Sequence, residues 1–232
     1  TNRAAKAAAV TGEAGHGSFV LAGCQTEGRG RRGRSFYSPQ DAGIYLSVVL
    51  EPKGSLQESL LLTAEAAVAV YKAVKKVTGI DLDIKWVNDL YHNGKKVCGI
   101  LTEAVTDFES GNIEFAVVGI GLNIFEAAEG YPEAIKGIAG GIYESREAAG
   151  ELERSRLAAE IVNALLEETK ELRLPPEYIE HNIVPGREIC ISDGDKVRSA
   201  KALEICPDGR LKVKEADGSL SVLSYGEVSI II

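Results

Sequence analysis

Gln25-Thr-Glu-Gly-Arg-Gly-Arg-Arg-Gly-Arg-Ser-Phe-Tyr-Ser-Pro39 is the stretch on which the reading of this chain turns. Three glycines (Gly28, Gly30, Gly33) alternate with four arginines (Arg29, Arg31, Arg32, Arg34). Glycine accepts φ > 0 and lets a backbone approach a ligand closely. Arginine offers planar, permanently charged forks for carboxylate and phosphate. Together they describe a mobile loop that closes over a small anion, since a solvated charge run seldom carries glycine at every turn. The same residues also spell G-x-G-x-x-G, which in a dinucleotide-binding unit lies between a strand and a helix. A strand does precede, at 18–23, but Ser-Phe-Tyr-Ser-Pro and a β-prone run at 44–50 follow. No helix opens there, and that context excludes the dinucleotide fold.

The 232 residues are 45% hydrophobic and 26% charged, an ordinary balance for a globular chain. Against 26 basic residues stand 34 acidic ones, and the net charge of −8 repels a phosphate backbone except at a local patch. No apolar run approaches the roughly 20 residues of a membrane helix, and no signal peptide is visible. A cytoplasmic protein with no membrane contact is therefore expected. Cys24, Cys98, Cys190 and Cys206 show neither C-x-x-C pairing nor metal-like spacing with His16, His92 or His181, and read as reduced, mostly buried thiols. The chain has no methionine, so residue 1 is not expected to be a translation start.

Outward from the loop, residues 1–10 read as a helix with Thr1 or Asn2 as its N-cap and Gly12 as its stop. Apolar residues at helical spacing (Leu60, Ala64, Ala67, Val68, Tyr71, Val74) predict a helix over 55–77, closed by Gly79. Asn93-Gly94 between β-prone runs at 83–91 and 95–105 is a hairpin signal. Gly111-Asn112 marks a further turn before a strand at 113–124, where Gly119 and Gly121 mark a close approach of ligand or backbone. Residues 125–150 are weakly patterned and read as a second flexible loop. A helix follows at 151–172, with Leu157, Ile161, Leu165 and Leu172 on one face, and Pro175-Pro176 starts a shorter one. From Val184 helical patterns vanish, and Asp193-Gly194, Asp208-Gly209 and Asp217-Gly218 punctuate short β-prone segments. That is the signature of a small antiparallel barrel of about 45 residues. The expected fold is α+β: a domain at 1–183 with a mixed β-sheet backed by helices, then the small barrel at 184–232.

Four motifs, in order and spacing, resemble biotin protein ligase: Gly28 to Arg34 with Ser38-Pro39, then Lys85-Trp-Val-Asn-Asp-Leu90, then Lys96-Val-Cys-Gly-Ile-Leu101, then Gly119-Ile-Gly-Leu-Asn123. The likeness spans essentially the whole chain. It implies a class II synthetase-like catalytic domain and an SH3-like C-terminal barrel. It also implies the two-step reaction of a biotin–[acetyl-CoA-carboxylase] ligase. Biotin's carboxylate attacks the α-phosphate of ATP to give biotinyl-5′-adenylate and pyrophosphate, and a lysine of a biotin carboxyl carrier protein then takes the biotinyl group and releases AMP. No enzyme nucleophile is required, and the sequence shows no nucleophile–base arrangement.

By position, the resemblance implies that Thr1, Asn2 and Gln25 hold biotin's ureido ring and orient its tail, with Tyr45 and Gly119 as pocket walls. Arg29, Gly30 and Arg31 would fold over the adenylate and, with Gly28 and Lys96, also contact biotin; Arg32 and Arg34 would lie on the nucleotide with Asn123 beside it. Lys96 would sit between biotin's carboxylate and the α-phosphate; without the resemblance it reads equally well as a solvated lysine beside a hairpin turn. Lys96, Arg29 and Arg31 are the catalytic candidates, and Asp89 is the carboxylate that would be tied to Mg2+. Trp86 reads as a core aromatic, and beyond Tyr131 residues 130–142 hold no aromatic in an obvious register, so the adenine-stacking residue is left unassigned. The chain departs from the family pattern at Val87, where proline is usual, and at Phe36, where tryptophan is; both read as packing changes. Only Thr1 and Asn2 represent the family's Ser-Thr-Asn start. ATP and Mg2+ are the implied cofactors, biotin and the carrier protein the implied partners, and a homodimer through sheet edges is expected. Two readings compete. One is a bifunctional ligase and operon repressor, although no helix-turn-helix stands in these residues and specific DNA binding by them is not expected. The other is a lipoate-type ligase, whose pattern lacks this arginine-dense loop.

Overall fold

Side-chain alternation along three neighbouring strands sets the architecture. The computed structural model of the chain describes residues 1–107, 109–193, 196–224 and 227–231. Strands β1 (Phe19–Ala22), β2 (Gly43–Leu50), β3 (Asp83–Lys85), β4 (Asp89–His92), β5 (Lys95–Thr106) and β6 (Ile113–Asn123) form one sheet in the order β1-β2-β6-β5-β4-β3. Successive residues of a strand face opposite sides. Ile44, Leu46 and Val48 of β2, Val118, Ile120 and Leu122 of β6, and Ile100 of β5 therefore share one face, and all are buried. Helix α2 (Ser59–Thr78) covers that face with Leu62, Ala66, Ala69, Val70 and Ala73, and α3 (Arg154–Glu168) packs on α2. On the other face α1 (Asn2–Val10) covers only one end, where Ala5 meets Val49, Phe115 and Val117.

Local chemistry starts and stops these elements as expected in most places. Ser55 and Glu58 form a capping box ahead of α2, and Gly79 ends it in the left-handed conformation, its N–H on Lys75 O. Asn93 and Gly94 both take positive φ, +49° and +74°, as a two-residue hairpin turn demands. Thr1 stands at the N-cap of α1, but its side chain does not cap the helix; its hydroxyl is used elsewhere.

Four expectations change. The run at 83–91 is two short strands, β3 and β4, paired as a hairpin around a turn at 86–88. The sheet anticipated as mixed has antiparallel ladders throughout, and parallel pairing is confined to single bridges such as Ile84 with Asn182 and Lys96 with Ala139. The helix anticipated at 151–172 is shorter, Arg154–Glu168, because the chain turns away to place the Arg173 N–H on Glu65 of α2. Leu172 and Leu174 still pack on the core from outside the helix. Residues 125–153 contain neither helix nor strand but are bonded at several points, described below.

After α4 (Pro176–Glu180), which buries Tyr178, strands β7 (Glu188–Asp193), β8 (Lys196–Ile205), β9 (Leu211–Glu215), β10 (Leu220–Leu223) and β11 (Glu227–Ile230) form a second antiparallel sheet, ordered β10-β9-β8-β7-β11. Ile189, Ile191, Ala202, Leu211 and Val213 are its interior. Asp208 and Asp217 each accept the main-chain N–H two residues on, which makes the turns at Gly209 and Gly218. The turn anticipated at Asp193-Gly194 lies outside the described residues, since Gly194 is not among them. Among the described residues no helix is long and apolar enough to cross a membrane.

One buried acid gives the fold a pH dependence. Glu65 has no exposed surface; its Oε1 accepts the Arg173 N–H at 2.9 Å, and its Oε2 has no partner among the described residues. Burial raises its pKa to about 8, with Glu168 adding to the rise and the Arg173 N–H opposing it. An unfolded glutamate titrates near ~4.3. Between these values the folded chain holds a proton that the unfolded chain has lost, so stability falls as pH rises through that window. Glu65→Gln should flatten the decline and raise the melting temperature at pH 8 by a few degrees, which thermal unfolding from pH 5 to 9 will show.

Candidate active site

The uncovered face of the large sheet is bare where it matters. One cross-strand row runs Tyr45, Gly121, Gly99, Asp89, Lys85, and the next holds Ser47, Gly119 and Leu101. Three glycines thus make a trough between Tyr45 on one side and Asp89 on the other. A Cβ on Gly121 would overlap the Phe36 ring, one on Gly99 would lie 3.1 Å from the same ring, and one on Gly119 would overlap the Asn2 amide. Over this floor stands a cavity of about 1050 Å³. Its walls are Thr1 and Gln25, the 29–36 loop, the β3–β4 hairpin, Lys96, Ile135 with Ile138, and Arg187 with Val228 and Ile230 from the second sheet.

One end of the cavity is densely hydrogen-bonded. The Thr1 main-chain nitrogen and hydroxyl donate to Gln25 Oε1 at 2.8 and 3.1 Å, and Gln25 Nε2 donates to Ser38 Oγ at 3.1 Å. Ser47 Oγ lies 2.6 Å from both Thr1 Oγ1 and Asn2 Oδ1. Asn2, only 9% exposed, donates through Nδ2 to Glu103 Oε2 at 2.8 Å and Leu101 O at 3.3 Å. Its amide is therefore used up as a bracket between α1 and the sheet. Ser47 and Glu103 escape the sequence reading; strand parity, which puts both on the face of Gly119, is the signal that finds them.

The other end is charged. Lys96 Nζ sits 2.5 Å from Asp89 Oδ1. The lysine's main chain is gripped by the 125–153 connector, with Lys96 N donating to Ile138 O at 2.8 Å and Gly140 N to Lys96 O at 3.0 Å. Arg31 Nη1 donates to Asn88 Oδ1 at 3.3 Å, and Asn88 is fixed in turn by Ile100, whose O accepts Asn88 Nδ2 and whose N–H meets Asn88 O. Burial lowers the Arg31 pKa, while Asp89 opposes the shift; a guanidinium stays charged all the same. The loop itself is a tight turn, with Gly30 N on Arg34 O and Phe36 N on Gly28 O, and Arg32 Nη1 reaches Ser192 O at 3.4 Å. Arg29, Arg34 and Lys85 also line the cavity, so a chain of net charge −8 concentrates basic groups there.

Not every anticipated residue is on these walls. Tyr45 shares the row of Gly121 yet is fully buried beneath the 35–41 segment, its hydroxyl donating to Pro39 O at 2.9 Å. Gly28 does not line the cavity; a Cβ there would overlap Phe36 O, so it shapes the loop from behind. Asn123 lies beyond the trough and donates to Gly140 O at 3.1 Å, supporting the connector that grips Lys96. Tyr131 meets Tyr37 edge-on at 6.1 Å and does not line the cavity. Asp89 is on the wall, but no three His, Cys, Asp or Glu side chains among the described residues gather to hold a metal ion. Trp86 is a core aromatic, as anticipated, and lines the cavity as well.

Residues 1–123 match the model of the Biotin/lipoate A/B protein ligase family. The chain belongs to that family. It is 34% identical over 220 residues to the bifunctional ligase/repressor BirA of Bacillus subtilis, covering 90% of this chain and 65% of that one. It is 29% identical over 236 residues to the biotin–[acetyl-CoA-carboxylase] ligase of Mycobacterium tuberculosis, covering 98% and 84%. The structure of biotin protein ligase from Aquifex aeolicus in complex with biotin and ATP superposes with a TM-score of 0.72 at 25% identity, over 94% of this chain and 90% of that one. The chain spans just under two thirds, 65%, of the Bacillus relatives' length.

The floor can be tested without any ligand. Gly119→Ala drives the Asn2 amide from its bracket, and overpacking of this kind costs about 1–3 kcal/mol. Urea unfolding should show that loss, whereas Gly23→Ala, with nothing within 4 Å of its new methyl, should leave the midpoint in place.

Proposed function

We propose that this chain carries the catalytic core of a biotin–protein ligase. It would join biotin to ATP as biotinyl-5′-adenylate and pass the biotinyl group to a lysine of a biotin carboxyl carrier protein. The observation that carries this reading is the convergence of Lys96 and the arginines of the 29–34 loop over one glycine floor. The names of the Mycobacterium relative and the Aquifex structure support it.

In the first step an oxygen of biotin's carboxylate bonds to the α-phosphorus of ATP, the bond to the bridging oxygen breaks, and pyrophosphate leaves. Lys96, Arg31 and Arg29 face the charge that grows on the α-phosphoryl oxygens, with Arg32 and Arg34 outward on the nucleotide. Catalysis is then positioning plus electrostatic stabilisation. Asp89 fixes where the Lys96 ammonium stands. In the second step the carrier lysine's neutral amine attacks the acyl carbonyl, the bond to AMP breaks, and the amine loses its proton to solvent. Thr1 and Gln25 present a hydroxyl and an amide to the ureido ring over the floor at Gly119. Asn2 stands with them on the wall, its amide bracketed between α1 and the sheet, while Gly28, Tyr45 and Asn123 support these walls from outside the cavity.

Mg2+ usually binds through one or two carboxylates together with substrate phosphates. Asp89, a carboxylate on the cavity wall with Oδ1 beside Lys96 Nζ, suits that arrangement, and the ion would supply further neutralisation of phosphate charge. The reading divides the chain at residue 183 into a catalytic domain and an SH3-like domain, and takes the protein to be cytoplasmic and homodimeric. The 28–34 loop and the connector act as lids that shield the water-sensitive adenylate.

Calorimetric titration of biotin with and without MgATP, beside a lipoate control, tests the function. Biotin binding should tighten sharply with ATP. Lys96→Ala should bind biotin yet slow adenylate formation on the order of 100-fold. Lipoate binding with no biotin signal would overturn the reading in favour of the lipoate branch. Proteolysis tests the lid: cleavage within residues 28–34 should slow when biotin and ATP are added together, and an unchanged rate would remove the lid from the mechanism.

A further inference from the structure

Residues 86–88 link β3 to β4, and with Asp89, the first residue of β4, they are tied to the second sheet, α4, the arginine loop and β5. Trp86, 3% exposed, donates its indole N–H to Gly209 O of the second sheet at 2.9 Å. Val87 O accepts the hydroxyl of buried Tyr178 in α4 at 2.8 Å. Asn88 bonds Ile100 of β5 and receives Arg31. Asp89 holds Lys96. Two of the three cations set against the α-phosphate in the reading above, Arg31 and Lys96, are thus oriented by adjacent residues, the last of a short turn and the first of β4.

That turn has little rigidity of its own, because β3 has three residues and β4 four. Strand β3 is braced from the segment that leads into the second sheet, with Ile84 N on His181 O at 2.8 Å and Ile183 N on Ile84 O at 2.9 Å. Gly209 is itself well seated. It is buried in the β8–β9 turn with φ of +80°, its N–H meets Cys206 O at 2.8 Å, and its side faces Leu60 of α2. A buried indole N–H needs an acceptor, so a single carbonyl of the second sheet fixes the direction in which the Trp86 ring leaves the turn. Apolar packing would hold a ring of this size in place; the directed bond adds an orientation.

We propose that Trp86 is a positioning residue, through which the second sheet sets the placement of Asn88 and Asp89 and, through them, Arg31 and Lys96. This rests on the ligase reading. Its consequence is selective. The nucleotide step depends on the second sheet although Trp86 need not touch the reacting atoms, while the end of the cavity built on Thr1, Gln25 and Ser47 is independent of it.

Trp86→Phe keeps an aromatic ring and removes the donor. With the full chain, below the melting temperature of both proteins, single-turnover adenylate formation should fall about tenfold, as small misplacements of catalytic groups do. Biotin affinity without nucleotide should stay within about twofold. An unchanged rate overturns the proposal, and so does an equal loss of biotin affinity, the mark of a general structural defect. Trp86 is the sole tryptophan, so the unaltered chain carries its own probe. Its emission should respond to biotin with ATP and not to biotin alone, and indifference to ATP overturns the proposal even where the variant does not fold. Turnover by the unaltered chain in the same assay tests the ligase reading separately.

Discussion

Two strands of one sheet must stay bare where they cross the site, and the rest of the molecule is arranged around that requirement. A sheet with helices on one face normally spends its other face on solvent or on a second layer. Here α1 covers only one end of that face, and Gly99, Gly119 and Gly121 leave a trough beside it. The trough is not idle space, since the Phe36 ring and the Asn2 amide occupy positions that any Cβ would take. A strand with glycine at these positions gives up β propensity and packing. The opposite face compensates, because β6 is buried from Phe115 to its end at Asn123 and sets Val118, Ile120 and Leu122 in the core shared with α2.

Charge is handled locally. The chain is acidic, yet its cavity gathers arginines and lysines whose repulsion is relieved by a few placed partners. Lys96 and Asp89 are both partly exposed, and ion pairs of that kind contribute little to stability. The value of this pair is directional: it holds an ammonium at the edge of the floor. Arg31 is directed in the same way by a neutral acceptor, Asn88, which orients the guanidinium without cancelling its charge.

Most elements were legible because their signals are local. The Asn93-Gly94 turn, the Gly79 stop and the glycine pair in β6 each depend on neighbours a few residues away. The partnerships that complete the site are not local. Ser47 finds Asn2 across 45 residues, Glu103 finds it across 101, and Trp86 meets Gly209 across 123. Parity along a strand gives the face of a residue but not what lies over it, which is why Tyr45 and Asn123 stand on the correct face and outside the cavity. The early end of α3 has the same cause, an interior carboxyl on another helix that claims a backbone N–H. The resemblance located the motifs; it did not separate the residues on the wall from those that support it.

The cavity draws its walls from Thr1 at one extreme to Ile230 at the other. A chain emerging from a ribosome therefore has no enclosed site until its last strand, β11, is released and paired with β7. Closure of such sequence-distant contacts is slow relative to helix formation, so enclosure of the cavity lags behind the formation of its helices. A ligand that recognises only the enclosed cavity then favours folded chains over partly folded ones by mass action.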